Sequence, residues 1–158
     1  MSYVVERDWI TKAGLRAVCT MNETMGHRCG YVAIPPSHPL YGKSYAEECD
    51  CLTEGSKDVA NGPIGKRGHL PVFCASVTGK LNSPDIFFDV HGSLTYSGGS
   101  GEYPIVASDL WWFGFDCGHH GDASKHSPGV ARTQEYVVDE CESLATQLVE
   151  VKPIAAKE

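Results

Sequence analysis

No apolar run in the sequence approaches the roughly 18 residues needed to cross a bilayer. The opening, MSYVVERDWITKAG, has no basic stretch leading into an apolar core. Both absences predict a cytoplasmic protein with no membrane partner. Positive charge is scarce as well. Lys and Arg number 13 against 20 Asp and Glu, a formal net charge of -7, which argues against an extended nucleic-acid surface because that needs clustered cations. Internal repeats are lacking, and so is a His-Glu-x-x-His helix or any other diagnostic metal spacing. What is present is ordinary for a globular chain: 158 residues, 42% hydrophobic and 21% charged, enough for one domain with a proper core.

The seven cysteines, Cys19, Cys29, Cys49, Cys51, Cys74, Cys117 and Cys141, are odd in number and scattered. Without a secretion signal, this predicts reduced thiols or a metal rather than disulfides. The tightest pair, Cys49 and Cys51 in ECDC, is a possible half of a zinc site with Cys29 or Cys74. It lacks a second spaced pair, so unmetallated thiols are the default reading.

Three zones organise the chain. Residues 3–34 read as strands joined by turns at Gly14 and around Asn22 to Gly26, the start of a β-meander. Residues 35–68, rich in Pro, Gly and charge, read as irregular chain with one short helix near Tyr45. LPVFCASV and DIFFDVHGSLTYSG read as strands, followed by the Gly-rich turn SGGSGEYP and the strand LWWFGFDC. In TQEYVVDECESLATQLVEV, Tyr136 or Val137, Cys141, Leu144, Ala145 and Leu148 fall on one helical stripe, with Thr133 as N-cap. The predicted fold is α+β: a mainly antiparallel sheet, a long C-terminal helix packed on it, and a long irregular excursion at about 35–70. A single domain spans 1–151, with a frayed tail at 152–158.

The densest chemistry lies in DLWWFGFDCGHHGDASKH. Strand alternation places Asp89 and His91 on one face of IFFDVHG and Asp116 on one face of LWWFGFDC, so paired strands bring these ends together. The glycines at 118 and 121 bracket His119 and His120. The predicted cluster is His91, Asp116, His119 and Asp122. Imidazole and carboxylate together suit a divalent metal, zinc, manganese or iron rather than calcium, held by His91, His119 and Asp122, with Asp116 as general base to a bound water or as partner to a metal ligand. Two other readings stand beside it: a metal-free acid–base or ligand-contact site, and turn residues with structural hydrogen bonds.

Further candidates carry plain alternatives. Arg28 in GHRCGY suits an anion, or a solvated turn. Trp112 suits stacking on a nucleobase, or the core. Tyr96 is a ligand contact, or a cross-strand hydrogen bond. Lys66 and Arg67 reach a phosphate, or solvent. Cys117 is a nucleophile, or, by its parity with Trp111 and Phe113, a buried thiol.

The blocks GHRCGYVAIPPSHPLYGKSY, VHGSLTY and LWWFGFDCGHHGD resemble an uncharacterised protein group of bacteriophages and actinobacteria. Its blocks have the form His-Gly-Gly-x-Thr-Tyr and Trp-Trp-Phe-Gly-Phe-Asp-Cys-x-His-x-Gly-Asp, and TKAGLRAV belongs to the same resemblance. The matches fall on His91, Gly92, Thr95, Tyr96, Asp116, Cys117, His119, Gly121 and Asp122. Ser93 replaces the second glycine of the first block, and His120 stands where a small residue is usual, so His119 is the stronger of the two histidines. The resemblance implies a phage-type accessory protein of the host cytoplasm and carries no activity. Two functions are therefore expected. The first is a small metal-assisted hydrolase of a phosphorylated or nucleotide-like ligand. The alternative is a non-catalytic protein that captures a host signalling nucleotide or inhibits a host protein, as an antagonist of host defence would.

Overall fold

The computed structural model describes residues 3–99, 108–119, 122–125 and 128–153. It is an α+β structure: a five-stranded antiparallel sheet with one long helix on a face. Strands β1 (Tyr3–Ile10), β2 (Arg16–Asn22) and β3 (His27–Ile34) form the expected meander. Its first turn is closed by Thr11, whose hydroxyl donates to Leu15 O at 2.8 Å, with Gly14 at φ +92°. At the second turn the Asn22 side chain accepts from the amides of Thr24 and Met25. Strand β5 (Trp111–Asp116) pairs with β3, and the short β4 (Tyr96–Gly98) pairs with β5. The order β1-β2-β3-β5-β4 leaves β1 and β4 as rims. The β1–β2 register shifts between Val5 and Arg7, so Glu6 is bulged out of the ladder.

Alternation along β5 divides its side chains between two clusters. Phe113, Phe115 and Cys117 join the main core under the long helix, whereas Trp112 packs with Val18, Cys29, Tyr31 and Ala33 on the opposite face. The long helix, Gln134–Val149, begins where Thr133 Oγ1 accepts from Tyr136 N at 3.1 Å. It buries Val137, Cys141, Leu144, Ala145 and Leu148, and each large apolar side chain contributes on the order of 2 kcal/mol. Gly30 lets it sit close to the sheet: a Cβ there would lie 2.9 Å from Cys141 Sγ and 2.5 Å from the Phe115 ring. Glu140, on the same stripe, is buried too.

Between β3 and β4 the chain departs from expectation. The excursion after Ile34 is irregular as predicted, but Tyr45 lies in a turn; the helical turns are at Asp50–Leu52 and α1 (Ser56–Asn61). LPVFCASV is not a strand but helix α2 (His69–Thr78). Pro71 falls in the first turn, where a missing amide costs nothing, and Gly79 caps the end at φ +75° with its amide on Ala75 O. A short apolar run does not distinguish strand from helix by periodicity. DIFFDVHGSLTYSG is likewise not one strand. Pro84 at the first position starts helix α3 (Pro84–Phe87), after which the chain runs irregularly to β4. The long helix is α4. The Gly-rich turn falls mainly, and the tail 154–158 wholly, outside the described residues. Among the described residues no helix is long and apolar enough to cross a membrane.

Candidate functional site

The structure brings His91, Asp116, His119 and Asp122 together, Asp116 from the end of β5 and the other three from loops rather than from a strand paired with it. His91 lies in the irregular segment before β4, beside the start of α4. Its loop turns through Gly92 at φ +67° and Ser93 at φ +71°. Ser93 is the only described non-glycine residue there, so the place where the resembling block has glycine is a left-handed position. The Ser93 hydroxyl offsets part of that strain by accepting from Gly68 N at 2.9 Å.

The amide and both ring nitrogens of His91 are engaged. Its amide donates to Glu140 Oε1 at 2.9 Å, Nδ1 lies 2.8 Å from the Tyr136 hydroxyl, and Nε2 lies 2.7 Å from Asp122 Oδ2. Asp122, 2% exposed, also accepts from Arg132 Nε at 2.9 Å and from His119 N at 3.2 Å. Burial pushes its carboxyl up, but the hydrogen bonds from Arg132 and His91 outweigh this, and the net shift is downward. An ionised Asp122 dictates the tautomer: Nε2 carries the proton and Nδ1 accepts. The phenol must then be the donor. Burial and the neighbouring Glu140 keep Tyr136 protonated, despite the Arg132 guanidinium 4.8 Å over its ring. The result is a continuous chain, Asp122–His91–Tyr136. Glu140 also takes Lys66 Nζ, which ties the excursion to this centre.

Asp116 and His119 form an adjoining half. Asp116 accepts from Thr95 Oγ1 at 3.1 Å and from Gly118 N at 2.9 Å. His119 Nε2 lies 3.5 Å from Asp116 Oδ1 without hydrogen-bond alignment, and is buried with no hydrogen-bond partner. The His91 and His119 rings are 6.1 Å apart, centre to centre. His120 and Gly121 lie outside the described residues.

The metal set His91, His119 and Asp122 meets an obstacle. Both His91 ring nitrogens are already in hydrogen bonds, so an ion held by His91 would have to displace Tyr136 or Asp122 from it. Among the described residues no three His, Cys, Asp or Glu side chains are grouped to hold an ion. The cysteine alternative is divided by the fold. Cys49 and Cys29 belong to different clusters, and Cys74 is exposed on α2.

The ligand candidates are placed away from an open site. Arg28 is bound through Nε to Glu6 Oε1 at 2.6 Å and through Nη1 to Arg132 O at 2.9 Å. Trp112 is 1% exposed, so neither ring face is open to a base. Tyr96 stands edge-on to Tyr31, with ring centres 5.4 Å apart, beside the Trp112 cluster. Arg67 donates to Ile86 O and Phe87 O, holding the excursion to the end of α3. Burial raises the Cys117 thiol far above its usual range, which makes it inert. Tyr136 and Arg132 were not anticipated as members of the cluster, nor Glu140. The one sequence signal was that Tyr136 and Glu140 border an apolar stripe.

A cavity of about 50 Å³ touches the cluster, lined by His27, Arg28, Cys117 and Arg132. A larger cavity, about 790 Å³, lies elsewhere, between Leu52, Phe87 and Val151. Its walls carry three carboxylates, Asp50, Glu54 and Glu150, against one cation, Lys152, a balance that disfavours a phosphorylated ligand. Comparison with protein-family models, curated proteins and solved structures finds no significant match.

Proposed function

We propose that the protein is a small phage-type hydrolase whose working centre is the Asp122–His91–Tyr136 chain. It acts on a phosphorylated or nucleotide-like ligand in the bacterial cytoplasm. The observation that supports this reading is the seat of His91 between a buried ionised carboxylate and a phenol hydroxyl. Carboxylate, imidazole and hydroxyl in that order are how a base is oriented to activate a hydroxyl group. Asp122 fixes the tautomer, and His91 Nδ1 takes the phenol proton as Tyr136 Oη attacks phosphorus. The bond to the leaving group breaks and that group takes the proton from His91; water, deprotonated by His91, then hydrolyses the phosphotyrosine to restore the phenol. Arg132 favours the developing phenolate and presents a cation to a phosphoryl oxygen. The metal-assisted form of this chemistry gives way to a metal-independent one at His91, because that imidazole has no nitrogen to spare.

The test is hydrolysis of p-nitrophenyl phosphate and bis(p-nitrophenyl) phosphate in EDTA. Turnover by the wild type, lowered by about 10²- to 10⁴-fold in both Tyr136→Phe and His91→Gln, is the expected result. No turnover, or turnover indifferent to both changes, overturns it.

A second reading is favoured by one feature. Helix α2 exposes Phe73 at 66% and Val77 at 72%, an apolar face suited to a host protein. If expression in a bacterial host gives a growth or phage-plating effect that is lost in Phe73→Asp but kept in Tyr136→Phe, the protein is a non-catalytic antagonist.

A further inference from the structure

Among the described residues, two enclosed imidazole nitrogens make no hydrogen bond: His27 Nδ1 and His119 Nε2. A desolvated polar atom left unbonded is costly and rare, and it calls for an occupant. Both flank one carboxylate, that of Asp116. The 3.5 Å from His119 Nε2 to Asp116 Oδ1 is too poorly aligned for a hydrogen bond, but it suits two ligands sharing one ion at bonds of about 2.0–2.2 Å. His27 begins β3, where Cys29 pairs with Asp116 of β5, so its ring stands at the same end of the sheet. Gly118 separates the two. The point that a Cβ on Gly118 would occupy lies 3.1 Å from His27 Nδ1 and 3.2 Å from Asp116 Oδ1. The absent side chain therefore leaves a gap bordered by an imidazole and a carboxylate. Gly92 plays the matching part for His119: any Cβ there would run into the ring, 2.2 Å from Cδ2.

From this arrangement we propose that Asp116, His119 and His27 bind a divalent transition-metal ion, zinc or ferrous iron in class. The site is distinct from the Asp122–His91–Tyr136 chain. Two imidazoles and a carboxylate are the donor set such ions take, with positions left for water. Asp116 keeps lone pairs beyond those used by Thr95 and Gly118. His119 and Asp116 are already spaced as ligands; no third side chain yet shares their centre, so binding draws His27 inward across the Gly118 gap. His91 and Asp122 stay as they are.

The probes are zinc and cobalt(II), added to the full chain purified without chelator and then stripped. One equivalent of zinc is expected to bind, with dissociation constants raised at least tenfold, by about the margin a lost metal contact gives, in His119→Ala, His27→Ala and Asp116→Asn. Gly118→Ala removes no ligand yet should weaken binding by filling the gap, and Tyr136→Phe should leave it unchanged. If an alanine variant fails to fold, the wild-type cobalt spectrum decides. Nitrogen and oxygen ligation lacks the strong near-ultraviolet thiolate band that binding to cysteines would give. The proposal is overturned if the wild type takes up no zinc, which leaves a water as occupant. A thiolate band overturns it, as do folded variants that bind like the wild type. Loss of hydrolysis in Tyr136→Phe with zinc affinity intact separates this outcome from the fate of the acid–base chain.

Discussion

The two halves of the polar cluster use the same residue types for opposite ends. Around His91 the amide and both ring nitrogens are matched, and carboxylate, phenol and guanidinium close on one another. Around Asp116, two imidazole nitrogens are enclosed and unbonded. A fully matched buried network fixes geometry and contributes to stability. An incompletely matched one contributes less to the fold and remains available to something else. Composition does not separate the halves; the elements behind them do. His91 rests on the rigid first turns of α4, whereas His27, Asp116 and His119 sit where two strands end.

That contrast is open to attack by substitution, beginning with Glu140. It is 4% exposed and bonds both the His91 amide and Lys66. Glu140→Ala should cost about 3 kcal/mol, read from urea unfolding, because it strands a buried amide and an ammonium; a loss under about 1 kcal/mol would mean that the matched half is not structural.

Acid provides the second probe. The Asp122 carboxyl is held below its ordinary value, so its contribution to stability is full above the unfolded value of 3.8 and is lost as pH falls through the lower, folded one. Thermal unfolding between pH 6 and pH 3 should show the wild type losing ground below about pH 4. Asp122→Asn, less stable at pH 6, should fall less steeply over the same window. Parallel curves would remove Asp122 from the account.

The smallest effect belongs to the unmatched half. His119→Gln should change stability by no more than about 0.5 kcal/mol, since the ring nitrogen it replaces bonds to nothing. A large loss of stability there would erase the difference between the halves.

Much of the scaffold was legible beforehand. The β1–β3 meander follows from alternation punctuated by Gly14 and Asn22, and α4 follows from a stripe at helical spacing with Thr133 in front of it. The cluster was legible as a set of residues but not as a geometry. Strand pairing was the argument for bringing His91 to Asp116, yet His91 arrives on a loop that α3 and two left-handed residues redirect. Short apolar segments such as LPVFCASV carry no decisive period, and Pro71 with Gly79 were the better guides to a helix. Arg132 gave no local signal, because its partner Asp122 is met only through a loop. Trp112 shows the limit of parity: alternation put it correctly on the face opposite Phe113, but not whether that face was covered.

The bulge at Glu6 has a consequence for how the molecule behaves in a crowd. A rim strand with unpaired amides is a template on which another copy's strand can dock and grow into a fibre. Strand β1 is eight residues long and exposes Val4, Val5 and Ile10, the apolar part of such a template. Against this, the register slips at Glu6, Arg7 and Asp8 set charges along the middle of the rim, and Glu6 is turned inward to Arg28. The flat ribbon is thereby interrupted midway along the strand. The residue that anchors Arg28 thus also guards the protein's colloidal behaviour.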